Sequence, residues 1–221
     1  MSYYKLNDNI FHYTEKFKKM IESQSTIEPI HTEEYSWENY RYQSDRIRMA
    51  HVERYSHDGL EVAHIVAIPR KTYKAPIFGF DVVGFEMPDK GISKINAVFI
   101  DWSPIMYDQR WHNTNWNKKR KLPVWASIFS EDFIAIRPTE DEYEKVFEFG
   151  INSFQYWLND LNTDKDYTQN LNEIQEIIKN QNIYCEHQAS NKRTRTALSA
   201  NVGKETAEYF MKEILFPKIK Y

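Results

Sequence analysis

The chain has 221 residues, long enough for one good core and short for two independent domains. Hydrophobic residues make up 41% and charged residues 28%, and the formal net charge is −3, which excludes a disordered chain and a nucleic-acid binder acting through bulk positive charge. A single cysteine, Cys185, excludes an internal disulfide and a cysteine-rich zinc or iron–sulfur site.

In chain order, Ile10, Tyr13, Phe17, Met20 and Ile21 recur at helical spacing and predict an amphipathic helix over 4–23. From about residue 35 to 136 the pattern changes to β-branched and aromatic runs, giving candidate strands at 39–44, 47–55, 60–67, 77–85, 95–102 and 132–136. Turn residues separate several of them, as in Ser56-His57-Asp58-Gly59 and Pro88-Asp89-Lys90-Gly91. Residues 103–124 read as a polar loop rich in Trp, Asn and Lys. Thr139 with Glu142 is a capping-box signature for a long helix from 140 to about 160, and further helices are expected at 168–187 and 204–214. Helices at both ends around consecutive strands imply an α/β fold with an antiparallel sheet and helices on its faces. One domain, 1–221, is expected. No apolar run approaches the ~18 residues of a membrane span and the start lacks an apolar signal segment, so a cytoplasmic protein is expected.

The missing motifs narrow the chemistry. With six glycines the chain assembles neither a dinucleotide-binding G-x-G-x-x-G nor a phosphate-binding loop, and it has no C-x-x-C or G-x-S-x-G. A redox enzyme with this sequence would draw its electrons from a partner protein. Aromatic residues reach 15%, which suits either a large flat ligand or a heavily aromatic core.

Polar groups within the strands carry the most information. Alternation puts His51 and Glu53 on one face of the strand 47–55, and His64 on one face of 60–67. A four-residue loop Ser56–Gly59 would set His51 opposite His64; a two-residue Asp58-Gly59 turn would set Glu53 there instead. The next strand, Ile77-Phe78-Gly79-Phe80-Asp81-Val82-Val83-Gly84-Phe85, holds an acid in an apolar run, which is costly unless the acid is paired, protonated or open to a cavity. A buried Asp81 would have a raised pKa and could share a proton with a histidine. Gly79 and Gly84 would let a flat ligand approach the backbone. The alternatives are a structural His–Asp bond within the sheet, a merely polar strand face at His51 and Glu53, or a His/His/Glu/Asp metal site. His12, His31, His57, His112 and His187 lie in polar contexts and are expected at the surface.

Several blocks together resemble a known family. They are Gly59-Leu60-Glu61-Val62-Ala63-His64-Ile65-Val66-Ala67-Ile68-Pro69, Ala75-Pro76-Ile77-Phe78-Gly79-Phe80-Asp81-Val82-Val83, Ala97-Val98-Phe99-Ile100-Asp101-Trp102-Ser103-Pro104, Leu122-Pro123-Val124-Trp125 and Asn191-Lys192-Arg193-Thr194-Arg195. In order and spacing they resemble the ferredoxin-dependent bilin reductases, and most of all the phycocyanobilin:ferredoxin oxidoreductase lineage in its short, phage-borne, phycoerythrobilin-forming form. The resemblance implies a three-layer α/β/α sandwich with a central antiparallel sheet, biliverdin as substrate, no bound metal or flavin, and reduced ferredoxin as the external electron donor.

It also implies roles for residues. Asp81 and His64 fall on the family's proton donors, and His51 and Glu53 on groups used in vinyl reduction. Arg120 falls on a propionate-binding position and Lys192 on another pocket position; Asn96 replaces a propionate-contacting Ser, and Trp125 belongs to a matching block. Asn191 stands where some relatives carry a second Asp, so phycocyanobilin is the alternative product, and a non-catalytic bilin carrier the alternative function. Ferredoxins are acidic, so the basic run Lys118, Lys119 and Lys121, with Arg193 and Arg195, is a candidate docking surface. A monomer that binds no nucleic acid and no membrane is expected.

Overall fold

The structure is a computed structural model and describes residues 4–24, 28–29, 37–103, 116–118, 121, 129, 133–164, 166 and 169–220. The expected N-terminal helix is α1, Leu6–Glu22. Among the described residues seven antiparallel strands follow in simple sequence order: β1 Glu28–Pro29, β2 Glu38–Gln43, β3 Ile47–His57, β4 Leu60–Pro69, β5 Ile77–Met87, β6 Ile92–Ser103 and β7 Ile134–Ile136. A helical turn, Glu140–Glu142, leads into α2, Tyr143–Thr163. Its start is fixed as the Thr139/Glu142 signature predicts, with the Glu142 carboxylate accepting the Thr139 N–H at 2.9 Å.

Two compact units divide the chain at Asp164. The first, Met1–Asp164, contains the sheet, α1 and α2. Burial alternates along β5, where Phe78, Phe80 and Val82 are fully buried while Gly79, Asp81 and Val83 are only partly so. Phe78, Phe80 and Val82 share one core with Ala50 and Val52 of β3, Ile65 of β4 and Ile100 of β6. Helices α1 and α2 close that core with Leu6, Ile10, Phe17, Phe147, Phe154 and Trp157. Phe17 stands 5.4 Å from Phe80 and 5.4 Å from Phe154, Tyr13 stacks on Phe147 at 4.6 Å, and the Trp157 indole donates to the Pro76 carbonyl at 2.8 Å. Each such ring contributes roughly 1.5–3 kcal/mol by leaving water. Much of the aromatic richness therefore belongs to the core.

Gly84 corrects one expectation. A Cβ there would lie 2.5 Å from the Leu6 side chain and 2.5 Å from the Lys94 carbonyl, so this glycine admits α1 and β6, not a ligand. Gly79 stays on the face that carries Asp81.

The second unit, Lys165–Tyr221, contains α3 Leu171–Ala189, α4 Lys192–Val202 and α5 Lys204–Tyr209, continued by a wider π turn over Phe210–Leu215. Helix α4 is absent from the sequence reading; of its eleven residues only Leu198 is buried, which leaves no apolar stripe to detect. Cys185 is buried, its thiol donating to the Pro217 carbonyl at 3.7 Å. No helix among the described residues is long and apolar enough to cross a membrane.

Candidate active site

The site is built by one turn. Asp58 and Gly59 both have positive φ, 49° and 76°, as a two-residue type I′ hairpin turn requires. That turn selects the second of the two registers: Glu53 lies opposite His64, and His51 opposite Val66. The pairing continues across the sheet, with Asn39 opposite Glu53, His64 opposite Asp81, and Asp81 opposite Phe99. Glu53, His64 and Asp81 thus form one transverse row over three neighbouring strands. The adjacent row on the same face reads Arg41, His51, Val66, Gly79 and Asp101. This is the face opposite the α1/α2 core.

His64 Nδ1 is hydrogen-bonded to Asp81 Oδ1, and the rings of His51 and His64 lie 5.8 Å apart. His51 Nε2 is hydrogen-bonded to Asn39 Oδ1. His51 is 0% and Glu53 7% exposed, whereas the Asp81 side chain keeps 35% of its surface. Of the two acids in the Glu53–His64–Asp81 row, Glu53 is therefore the deeply buried one, and the expectation of a buried Asp81 is corrected to a partly open one. The strand β3 reads as polar around Glu53, which hid its burial from the sequence.

Burial decides the electrostatics. It pushes the Glu53 carboxyl up to about 7; the His64 charge opposes this and Asp81 adds to it. Burial alone would lower His64, but the Asp81 charge, their hydrogen bond and Glu53 together outweigh it and raise its pKa. Burial, then His64 and Arg41, hold His51 well below the ordinary histidine range. Near neutral pH the site accordingly holds a carboxyl that keeps its proton to far higher pH than an ordinary one, a cation-favouring imidazole on Asp81, and a neutral imidazole. Among the described residues no group of three or more His, Cys, Asp or Glu side chains could hold a metal ion.

The other predicted residues are placed less closely. Asn96 is the extra residue of a bulge in β6, between the partners of Val83 and Gly84, a device that re-aims side chains, and its carbonyl accepts the Arg137 Nε–H at 3.4 Å. Arg120, Trp125 and Lys119 lie outside the described residues, as do His31 and His112. Lys118 and Lys121 are exposed, as are His12, His57 and His187. In the second unit Asn191 caps α4, its side chain accepting the Arg193 N–H at 3.1 Å. Lys192 and Arg193 are exposed, and Arg195 donates to the Ala189 carbonyl at 2.6 Å. Sequence reasoning missed Asn39, Arg41 and Asp101. Asp101 was within reach, because it is an acid inside an apolar run just as Asp81 is; it is 3% exposed and accepts the Ser103 hydroxyl at 2.6 Å.

The family model for ferredoxin-dependent bilin reductases matches residues 11–217. The chain belongs to that family. As a bilin reductase it is an oxidoreductase that depends on ferredoxin. Phycocyanobilin:ferredoxin oxidoreductase of Trichodesmium erythraeum is 30% identical over 194 residues, covering 81% of this chain and 75% of that protein. The enzyme of the same name from Synechococcus elongatus is 30% identical over 192 residues, with the same coverage. Solved structures share the fold: phytochromobilin synthase from tomato in complex with biliverdin has a TM-score of 0.75 at 17% identity, over 95% of this chain and 82% of that one. The structure of a protein designated PcyX has a TM-score of 0.67 at 20% identity, over 96% and 99%. The bilin reductase match also runs through both compact units of the chain.

Proposed function

We propose that the chain reduces biliverdin to phycoerythrobilin, through a dihydro intermediate, with each added hydrogen assembled from one ferredoxin electron and one proton from the protein. The observation that carries the reading is the row Glu53–His64–Asp81, an acid–base cluster on one sheet face with two carboxyls of different burial around one imidazole. An electron added to a conjugated tetrapyrrole makes it a stronger base, so a nearby acid must supply a proton at that moment. Asp81, the more open carboxyl, and its partner His64 act first as the donor pair. Glu53, protonated to a large extent near pH 7, is the second acid, and His51 takes part in reduction of the vinyl end. No resident metal or flavin takes part in this scheme. A passive carrier would gain from apolar residues at these positions, which favours the enzyme.

For the pigment's propionates we propose Arg120, Lys192 and Asn96, with Trp125 and Asn191 as further substrate contacts; guanidinium forks match carboxylates in bidentate geometry. For ferredoxin we propose Lys118, Lys119, Lys121, Arg193 and Arg195. In support, the first turn of α4 carries Lys192, Arg193 and Arg195 at the positive end of the helix dipole, an arrangement unfavourable to the helix itself and suited to an acidic partner. The protein acts in the cytoplasm as a monomer.

The mutual coverage with PcyX, 96% and 99%, supports placement in the short branch of the family. The names of the relatives at 30% identity favour a second reading, phycocyanobilin as product. An anaerobic assay with biliverdin, ferredoxin and a reducing system, its products separated by chromatography, decides between them. Phycoerythrobilin supports the first reading and phycocyanobilin the second; an Asp81→Asn variant reducing biliverdin at the unmodified rate removes Asp81 from the mechanism.

A further inference from the structure

We propose that Asn39 is a positioning residue that holds His51 as its Nε2–H tautomer, leaving Nδ1 as the ring's basic nitrogen. The geometry starts from the register of β2 on β3. Arg41 is directly opposite His51 and Asn39 is opposite Glu53, so the Asn39 side chain reaches His51 along the diagonal of the ladder. There its carbonyl oxygen, Oδ1, is hydrogen-bonded to Nε2. A carbonyl oxygen only accepts, and a neutral imidazole has a single N–H. That hydrogen must then sit on Nε2.

The surroundings keep the ring neutral. His51 is fully buried; the charged groups beside it are Arg41 on β2, Glu53 on its own strand and His64 on β4, with Asp81 of β5 bonded to His64, while Asp101 lies in its row but three strands away on β6. Burial is the largest influence on its protonation, and His64 and Arg41 act in the same direction. A neutral ring with its hydrogen committed to Asn39 offers a lone pair at Nδ1 and no proton there. His51 therefore enters the protonation sequence as an acceptor, passing on a proton only after receiving one, while Glu53 and the His64–Asp81 pair start as donors. Only this last consequence rests on the reductase reading; the tautomer does not.

The test is long-range ¹⁵N–¹H correlation spectroscopy on the uniformly labelled full chain without pigment, with His51→Gln to assign the ring. In the unmodified protein Nε2 is expected to be protonated and Nδ1 bare. Asn39→Leu removes the acceptor, so the Nδ1–H form should become populated. Turnover of biliverdin should then fall by about 10-fold or more with KM within about twofold, as when an orienting partner is lost. Asn39→Asp keeps an acceptor in the same place and adds a negative charge, so it should preserve the Nε2–H tautomer and raise the pH at which His51 titrates. A dominant Nδ1–H form in the unmodified protein overturns the proposal, as does a His51 titration unmoved by Asn39→Asp. Should Asn39→Leu fail to fold, those two measurements decide. The expected tautomer in a protein that never reduces biliverdin would sink the functional reading and leave this one standing.

Discussion

Replacing Glu53 by Gln removes an ionisation while keeping the shape of the side chain, and the buried position makes the effect measurable. Burial raises this carboxyl from an ordinary 4.5 to about 7. Because the folded-state value is the higher one, folding favours the protonated form. The contribution is fully favourable below about pH 4.5, and a penalty builds as pH rises from 4.5 to about 7. At one decade per about 1.4 kcal/mol the full penalty is about 3 kcal/mol, an order-of-magnitude figure. Glu53→Gln does not carry it. The stability of the variant relative to the unmodified protein should therefore rise with pH, by an amount equivalent to about 5–10 °C in Tm between about pH 5 and pH 8. Thermal unfolding of both proteins across that range, followed by circular dichroism, reads the difference directly. Two parallel Tm profiles, separated by a constant offset, would refute the reasoning, since they would mean that folding does not alter the titration of Glu53.

Three further outcomes are expected. His64 is stabilised as a cation by Asp81, so its contribution to stability is fully present below its unfolded value of 6.5 and fades as pH rises through the raised folded value; His64→Gln should lower Tm more at about pH 6 than at about pH 9. Gly84→Ala forces a methyl group to within 2.5 Å of a backbone carbonyl and of Leu6, and should cost about 1–3 kcal/mol in denaturant unfolding with the acid–base row left in place. The double change Arg193→Gln, Arg195→Gln should slow reduction at low ferredoxin concentration and flatten its dependence on salt, measured as kcat/KM against ionic strength.

The order and type of the strands were legible because alternation and turn residues repeat cleanly from Glu38 to Ser103. Two hairpin registers fitted equally well until the turn was known, since loops of two and four residues preserve the parity of the side chains. Asp58-Gly59, a pair suited to positive φ, held the answer locally. Burial was harder to read. Whether Glu53 or Asp81 is the drier acid depends on what covers each strand, a non-local property, and the apolar neighbours of Asp81 pointed the wrong way because they face the core. The role of Gly84 was hidden likewise, since its contact with Leu6 joins residues far apart in sequence. Asn39 and Arg41 gave no cue by themselves; they matter only through the strand they pair with.

Strand β5 assigns its two side-chain sets to separate tasks, with Phe78, Phe80 and Val82 towards the helices and Gly79, Asp81 and Val83 towards the histidines. On the function proposed above, heat tolerance and pigment chemistry can be adjusted almost independently along a single stretch of chain. On that reading a lineage could retune its product spectrum through Gly79, Asp81 and Val83 without endangering the scaffold, and directed evolution should find its colour variants there.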